Sequence, residues 1–230
     1  MFKDAQGLYN YTAGPEFAAL KQETLQADHL YCVFPIYDGW RQLITTKRPI
    51  HTPAEMEGVK LRTTGSPVES AYDTEFGAKP TMVDWGETYL ALKNGLVDGY
   101  VVPYAAGVVD FNMDDAVKYG TTLNIAPVPS PELMNAAFYQ KLPPDLRKVV
   151  DDAGRQADLK GRELLAQHQA AARRKLEGEG FVIYDPPPAV MVQWIAKSKP
   201  VYAQFANQFP PGMIEKIQAT QLKQSATDSH

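Results

Sequence analysis

An α/β fold with parallel strands is predicted by three observations. Between Val59 and Tyr104, short apolar runs alternate with helical segments in the order strand, helix, strand, helix, strand. Strands alternating with helices of this length pair in parallel through right-handed crossovers. From Pro144 to about Glu177, apolar residues recur mostly at steps of three or four, which predicts one helix of about 50 Å at roughly 1.5 Å per residue. The length of 230 residues allows one large domain or two modest ones. A helix that long exceeds the width of one small lobe.

Pro15 to about Leu25 has helical spacing, with Phe17, Leu20 and Leu25 near one face. His29 to Ile36 is a dense apolar, β-branched and aromatic run, which reads as a buried strand. Tyr37-Asp38-Gly39 reads as a turn and Trp40 to Thr46 as the next strand. Thr52-Pro53-Ala54-Glu55 has the form of a capping box with proline at the first helical position, and it predicts a single helical turn. The central unit then places a strand ending in Arg62 and a helix after Ser66-Pro67 that stops at Gly77. A strand from Thr81 to Val83, a helix capped by Asp84 and closed by Gly95, and a strand from Val97 to Val102 complete it.

Ala105 to Tyr119 predicts a helix or two, with Asp114-Asp115 at a helix start. Asn124 to Pro131 holds three prolines and reads as an extended connection, of the kind that crosses between lobes. Along the long helix, Leu146, Val149, Val150, Ala153, Ala157, Leu164, His168, Ala172 and Leu176 form an apolar stripe, which makes His168 a packed histidine. Gly154 and Gly161 lower helix propensity and would let it bend. Phe181 to Tyr184 reads as a strand, and Pro186 to Pro188 open a helix that continues past a kink at Pro200. Pro210-Pro211-Gly212 precedes a last short helix, and the polar tail from Ser225 to His230 is expected to fray.

Hydrophobic residues make up 44% and charged residues 22%, the balance of a soluble globular protein. A net charge of −4 gives no reason to expect nucleic acid or an anionic membrane as partner. Cys32, the single cysteine, rules out an intrachain disulfide, and its apolar setting reads as a buried, inert thiol. No segment is long and apolar enough to span a bilayer. The start, MFKDAQGLYNY, has no apolar signal-peptide region, so either the protein is cytoplasmic or the chain begins downstream of its natural start.

Catalytic motifs are mostly missing: there is no G-x-S-x-G elbow, H-E-x-x-H pair or C-x-x-C. Gly178-Glu179-Gly180 ends a helix instead of following a strand, so it is not a dinucleotide fingerprint. The histidines at 29, 51, 168 and 230 lack ligand spacing, and no metal or cofactor is expected. Asp84 and Glu87 read as a capping box in preference to an acid–base pair.

Ligands of parallel sheets collect at the carboxyl ends of the strands, occupied here by Arg62, Asp84-Trp85 and Val102-Pro103-Tyr104. An arginine ending a buried strand needs an anionic partner. Arg62 is therefore either salt-bridged to a nearby carboxylate or a fork for a ligand carboxylate. Arg41 could offer a second cation, against the commoner reading of a surface arginine. Trp85 could stack on a ligand, against the commoner fate of plugging the core.

Three runs, KRPIHTPAEMEGVKLR, EFGAKPTMVDWGETYLALKNGLVDGYVVP and FYQKLPPDLRKVVDDA, resemble the periplasmic solute-binding proteins of tripartite ATP-independent periplasmic (TRAP) transporters, dicarboxylate (DctP) type. The shared order is proline, acidic-glycine, K-x-R, glycine-alanine-x-proline, E-x-Y-x-A-L, then V-D-G before a proline, and the similarity runs from about Pro15 to the final helices. The resemblance implies a type II periplasmic-binding-protein-like α/β fold of two lobes, with the long helix spanning both and a cleft that closes on an organic acid. It implies that Arg62 clamps the carboxylate, that Arg41 is a second cationic position, and that Trp85 lies in an aromatic slot against the ligand.

Two departures bear on specificity. Val102 stands where members often carry asparagine, and Gly65 where some sialic-acid-type members do. Both remove polar hands, which points to a less hydroxylated, more apolar or aromatic carboxylate; Tyr104, next to Val102-Pro103, is a further ligand-binding candidate. The resemblance also implies an N-terminally shortened chain with an incomplete first lobe. Residues 1–40 would be its remainder, 41–125 the second lobe, 126–224 the return with the backing helix, and 225–230 the tail. The function expected is a non-enzymatic, periplasmic solute-binding subunit, with no cofactor, that delivers its ligand to TRAP membrane permease subunits. A small α/β enzyme or a ligand-sensing domain using the same crevice is the alternative.

Overall fold

The computed structural model describes residues 4–222, and the tail expected to fray lies outside them. The first elements are α1 (Ala5–Thr12), α2 (Pro15–Ala27), β1 (Leu30–Phe34), β2 (Tyr37–Trp40) and β3 (Gln42–Thr45). A 3₁₀ turn at Pro53–Met56 leads into β4 (Lys60–Thr63), α3 (Pro67–Glu75) and β5 (Lys79–Met82). A second 3₁₀ turn at Trp85–Glu87 continues into α4 (Thr88–Lys93) and β6 (Gly99–Val102). After a π-helical turn at Tyr104–Val109 come β7 (Tyr119–Thr121), β8 (Pro127–Pro129), β9 (Glu132–Asn135), α5 (Ala136–Lys141) and α6 (Pro144–Gly178). The described chain closes with β10 (Val182–Tyr184), α7 (Pro188–Phe205) and α8 (Met213–Leu222).

These elements divide into two compact units. One comprises the chain up to Tyr37, Pro129–Ala166 and the chain from Phe209; the other comprises Asp38–Val128 and Gln167–Gln208. The second unit carries a six-stranded sheet of order β10-β7-β3-β6-β4-β5. β4 runs parallel to β5 and β6, as the strand–helix alternation predicts. β3 is antiparallel to both β6 and β7, and β10 is parallel to β7.

Side-chain alternation along these strands sends residues to opposite faces, and both faces are covered. Leu43 and Leu61 join Ile50, Met56, Phe76 and Trp194 in one buried cluster, in which Phe76 stacks on Trp194 at 5.2 Å. Ile44, Tyr100 and Val102 join Ala91, Leu92, Tyr104, Val108, Leu176 and Phe181 in another. Full burial of one such side chain stabilises by about 1.5–3 kcal/mol. Gly77 and Gly95 take up positive φ where α3 and α4 are expected to stop.

In the first unit, β1 pairs antiparallel with β9, with an irregularity between Cys32 and Phe34. The expected buried strand is only half-buried apart from Cys32, in a sheet of just two strands. Burial raises the Cys32 thiol, in keeping with an inert side chain. Tyr31 stacks on Tyr139 at 3.7 Å, and both hydroxyls donate to the Asp151 carboxylate, from 2.6 and 2.8 Å. α1 has no counterpart among the expected elements; Asp4 caps it by accepting from the Gly7 amide at 2.8 Å.

α6 matches its expected limits closely, but its stripe divides. Ala172 and Leu176 are buried, whereas Val149 is 62% exposed and Leu146 and Leu164 are exposed as well. His168 is likewise exposed, with Nε2 3.1 Å from the Asp110 carboxylate, so it is not the packed histidine of the expectation. Gly154 has a packing reason: a Cβ there would lie 2.7 Å from the Val33 carbonyl oxygen. Tyr37-Asp38-Gly39, expected as a turn, forms β2 together with Trp40, with Gly39 at φ +111°. No helix starts at Asp114-Asp115, because the chain has already turned through the π-helical segment and proceeds by turns to β7.

Candidate functional site

The sequence-predicted residues all lie in the second unit, at the edge of the sheet where β4, β5 and β6 end. On β4, alternation buries Leu61 and Thr63 and turns Lys60 and Arg62 to the other face. Arg62 faces the strand pair through its register partners, Thr81 on β5 and Tyr100 on β6. Its Nε donates to the Val83 carbonyl at 2.8 Å, and its guanidinium carbon stands 5.4 Å from the Trp85 ring centroid. Among the described residues no carboxylate forms an ion pair with Arg62. Burial pulls the guanidinium below its ordinary value, and the Glu69 charge partly offsets this. The intramolecular salt bridge that sequence reading left open for Arg62 is therefore absent among the described residues.

Trp85 is half-buried. Its indole packs edge-on to Phe111 at 4.9 Å and lies 6.3 Å from Tyr100. It thus covers part of the core and also flanks Arg62. Asp84 makes no capping hydrogen bond, contrary to the expected box. The turn is closed instead by backbone and hydroxyl: the Glu87 amide and the Thr88 Oγ1 donate to the Asp84 carbonyl at 3.1 and 3.0 Å. The Asp84 carboxylate is left exposed.

Arg41 precedes β3, whose first residue Gln42 lies opposite Val102 at the end of β6. Its guanidinium is ion-paired to Glu69 on α3. Glu69 also accepts from the Thr64 amide at 2.9 Å, the Thr64 hydroxyl at 2.6 Å and the Thr63 hydroxyl at 3.3 Å. Burial opposes its charge, but the Thr64 hydrogen bonds and Arg41 outweigh that and hold the carboxyl below its ordinary value. Sequence reading missed Glu69, although Ser66-Pro67-Val68-Glu69 carries the S-x-x-E helix-start signature that would have flagged it. Phe111 was missed too, because no regular periodicity marks the turn on which it sits.

Gly65 follows at φ +85°, where a Cβ would lie 3.0 Å from the Met82 sulfur. Val102 and Tyr104 are buried members of the core. The Tyr104 hydroxyl pairs with the Thr122 hydroxyl at 3.2 Å, and burial pushes its pKa up to about 12. The structure thus gathers Arg62 and Trp85, links Arg41 to the loop after β4 through Glu69, and sets Val102 and Tyr104 in the core beneath. Among the described residues no group of three His, Cys, Asp or Glu side chains could hold a metal ion.

One further carboxyl belongs to this electrostatic set. Asp73 on α3 is 4% exposed, and burial first and the Glu69 charge second push its pKa from 3.8 to about 7, with Arg41 opposing. The unfolded chain releases this proton near the ordinary value, so the folded state holds it through the window from about pH 4 to about pH 7. Stability contributed by the group is therefore lost as pH rises through that window. At pH 8 the ionised carboxyl costs roughly 4 kcal/mol. Asp73→Asn is expected to stabilise the protein at pH 8 and to flatten its stability profile between pH 5 and 8. Urea unfolding across that range checks this, and parallel profiles for both proteins would refute it.

A model of the family described as bacterial extracellular solute-binding protein, family 7, matches residues 1–208. A solute-binding protein of Verminephrobacter eiseniae is 29% identical over 184 residues, 80% of this chain and 54% of its own length. The C4-dicarboxylate-binding periplasmic protein of Rhodobacter capsulatus is 27% identical over 153 residues, 66% of this chain and 45% of its own. The chain spans about half the length of these curated relatives. A crystal structure of a TRAP periplasmic solute-binding protein from Sulfurospirillum deleyianum, with bound succinate, matches at a TM-score of 0.86 and 25% identity, covering 95% of this chain and 72% of that one. The fold is accordingly of the type II periplasmic-binding kind, α/β with one long helix.

Proposed function

Because the chain belongs to bacterial extracellular solute-binding protein family 7, we propose that it captures an organic carboxylate in the periplasm and hands it to the membrane permease subunits of a TRAP transporter. The observation that carries this reading is Arg62. It is the penultimate residue of β4, a parallel strand, at the ligand edge of the sheet, with one nitrogen fixed to the Val83 carbonyl and no described carboxylate to neutralise it. A half-buried guanidinium in that position is prepared for a carboxylate, which it would hold by two charge-assisted hydrogen bonds. Trp85 beside it would cover the ligand body. Arg41, Gly65, Val102 and Tyr104 complete the proposed set: Arg41 borders the ligand edge, and the other three leave it without asparagine amides. The ligand is accordingly an apolar or aromatic acid.

No catalysis is proposed, and the family's members are binding proteins, which leaves the enzyme and sensor alternatives without an observation in their favour. A thermal-shift screen against aliphatic, keto and aromatic acids tests the reading. A ligand at about 100 times its dissociation constant should stabilise by about 2.7 kcal/mol, a rise of several degrees in melting temperature. No shift with any class would overturn the proposal. Preference for a sugar acid over an aromatic acid would overturn the specificity drawn from Val102 and Gly65.

A further inference from the structure

Charge at the ligand edge can be balanced group by group. Arg41 is neutralised by Glu69, and Arg173, near the end of β10, by Asp185 and Glu177. Arg62 has no such partner among the described residues, and the exposed Asp84 carboxylate adds a weaker attraction nearby. Among the described residues the edge therefore presents one arginine without an ion-pair partner. Glu69 is also the most heavily engaged acceptor there, fastened by Thr63, by Thr64 twice and by Arg41. Arg41 is anchored through its backbone too: its amide donates to the Ala126 carbonyl at 2.8 Å, and its carbonyl accepts from the Ile125 amide at 3.0 Å. Swinging its guanidinium to a ligand would leave the half-buried Glu69 without its cation, and removing one partner of such a pair is costly.

We propose that Glu69, by neutralising Arg41, restricts this edge to ligands carrying a single carboxylate, with an uncharged body lying along Trp85 and Phe111. The proposal rests on the reading that Arg62 grips a carboxylate, and it adds a residue that acts without touching the ligand. Phe111 supports it: the ring is 53% exposed and set edge-on against Trp85, an apolar surface beside a single charge. A second carboxylate on the ligand would meet that apolar surface and the Asp84 charge instead of a cation.

Matched acids test this by isothermal titration: butyrate against succinate, and benzoate against phthalate. The wild-type protein is expected to favour the monocarboxylate of its preferred pair by at least tenfold. Glu69→Gln frees Arg41, and the ratio should fall to about threefold or invert. The double variant Glu69→Gln, Arg41→Gln returns the edge to one cation and should restore the wild-type preference. A merely structural role for Glu69 would weaken both acids together and leave the ratio fixed, which overturns the proposal, as does a wild-type preference for the dicarboxylate. If no acid binds, or if Arg62→Ala binds both acids as the wild type does, it is the carboxylate-clamp reading itself that fails.

Discussion

Arg62→Ala is expected to raise the dissociation constant for the best acid of the thermal screen about 100- to 10,000-fold. Each hydrogen bond to a charged group contributes about 1.5–3 kcal/mol, two are lost with the fork, and every 1.4 kcal/mol is tenfold in affinity. Arg62→Lys should recover little of this, since a single ammonium reproduces the charge but not the planar pair of donors. Stability should move by no more than about 1 kcal/mol. The side chain contributes one bond, to the Val83 carbonyl, while burial opposes its charge. Calorimetric titration alongside urea unfolding separates the two effects. A variant that folds and binds with wild-type affinity would show that the carboxylate sits elsewhere.

Gly99→Ala is expected to destabilise the second unit by about 4 kcal/mol or more, beyond the ordinary range for single substitutions. Gly99 lies in β6 between two neighbours, opposite Thr45 of β3 and Leu61 of β4. A Cβ there would lie 2.2 Å from the Ile44 carbonyl oxygen and 3.2 Å from the Thr45 Cα. The obstacle is strand backbone, so no rotamer change relieves it, and the sheet must open or bend. This gives the V-D-G run a physical reason: the glycine lets β3 approach closely on one side while Leu61 of β4 pairs on the other. Gly86→Ala, where nothing lies within 4 Å of the added Cβ, is the control. Loss of soluble protein or a large fall in urea midpoint for Gly99→Ala alone is the expected result; equal midpoints for the two variants would refute it.

The central unit was legible because its punctuation is strong. Ser66-Pro67, Gly77, Gly95 and Pro103 bracket elements close to those observed, and Pro144 and Gly178 bracket α6. Pairing direction was not legible for β3, since four buried residues in a row look the same beside a parallel or an antiparallel neighbour. Asp38-Gly39 misled because turn chemistry and a glycine of positive φ inside a strand share one signature. The stripe of α6 misled differently: periodicity reports which face of a helix could be buried, and nothing about whether another element reaches it. At the candidate site, strand ends alone were enough to place Arg62 and Trp85 together. The Arg41–Glu69 pair could not, because it joins residues 28 apart in sequence.

The uneven covering of the two units has a thermodynamic consequence. The second unit closes two apolar clusters around its sheet, whereas the large buried side chains of the first are Leu8, Tyr11, Cys32 and Ile217 among the described residues. Cooperativity scales with what is buried together, so the chain is expected to melt in two steps, with the thinly packed unit first. Its calorimetric enthalpy then exceeds the van't Hoff value, and a single midpoint misstates both transitions. Under the proposed function, ligand linkage through Arg62 would belong to the later step. The earlier one stays where it is at any concentration of an acid bound only at that edge.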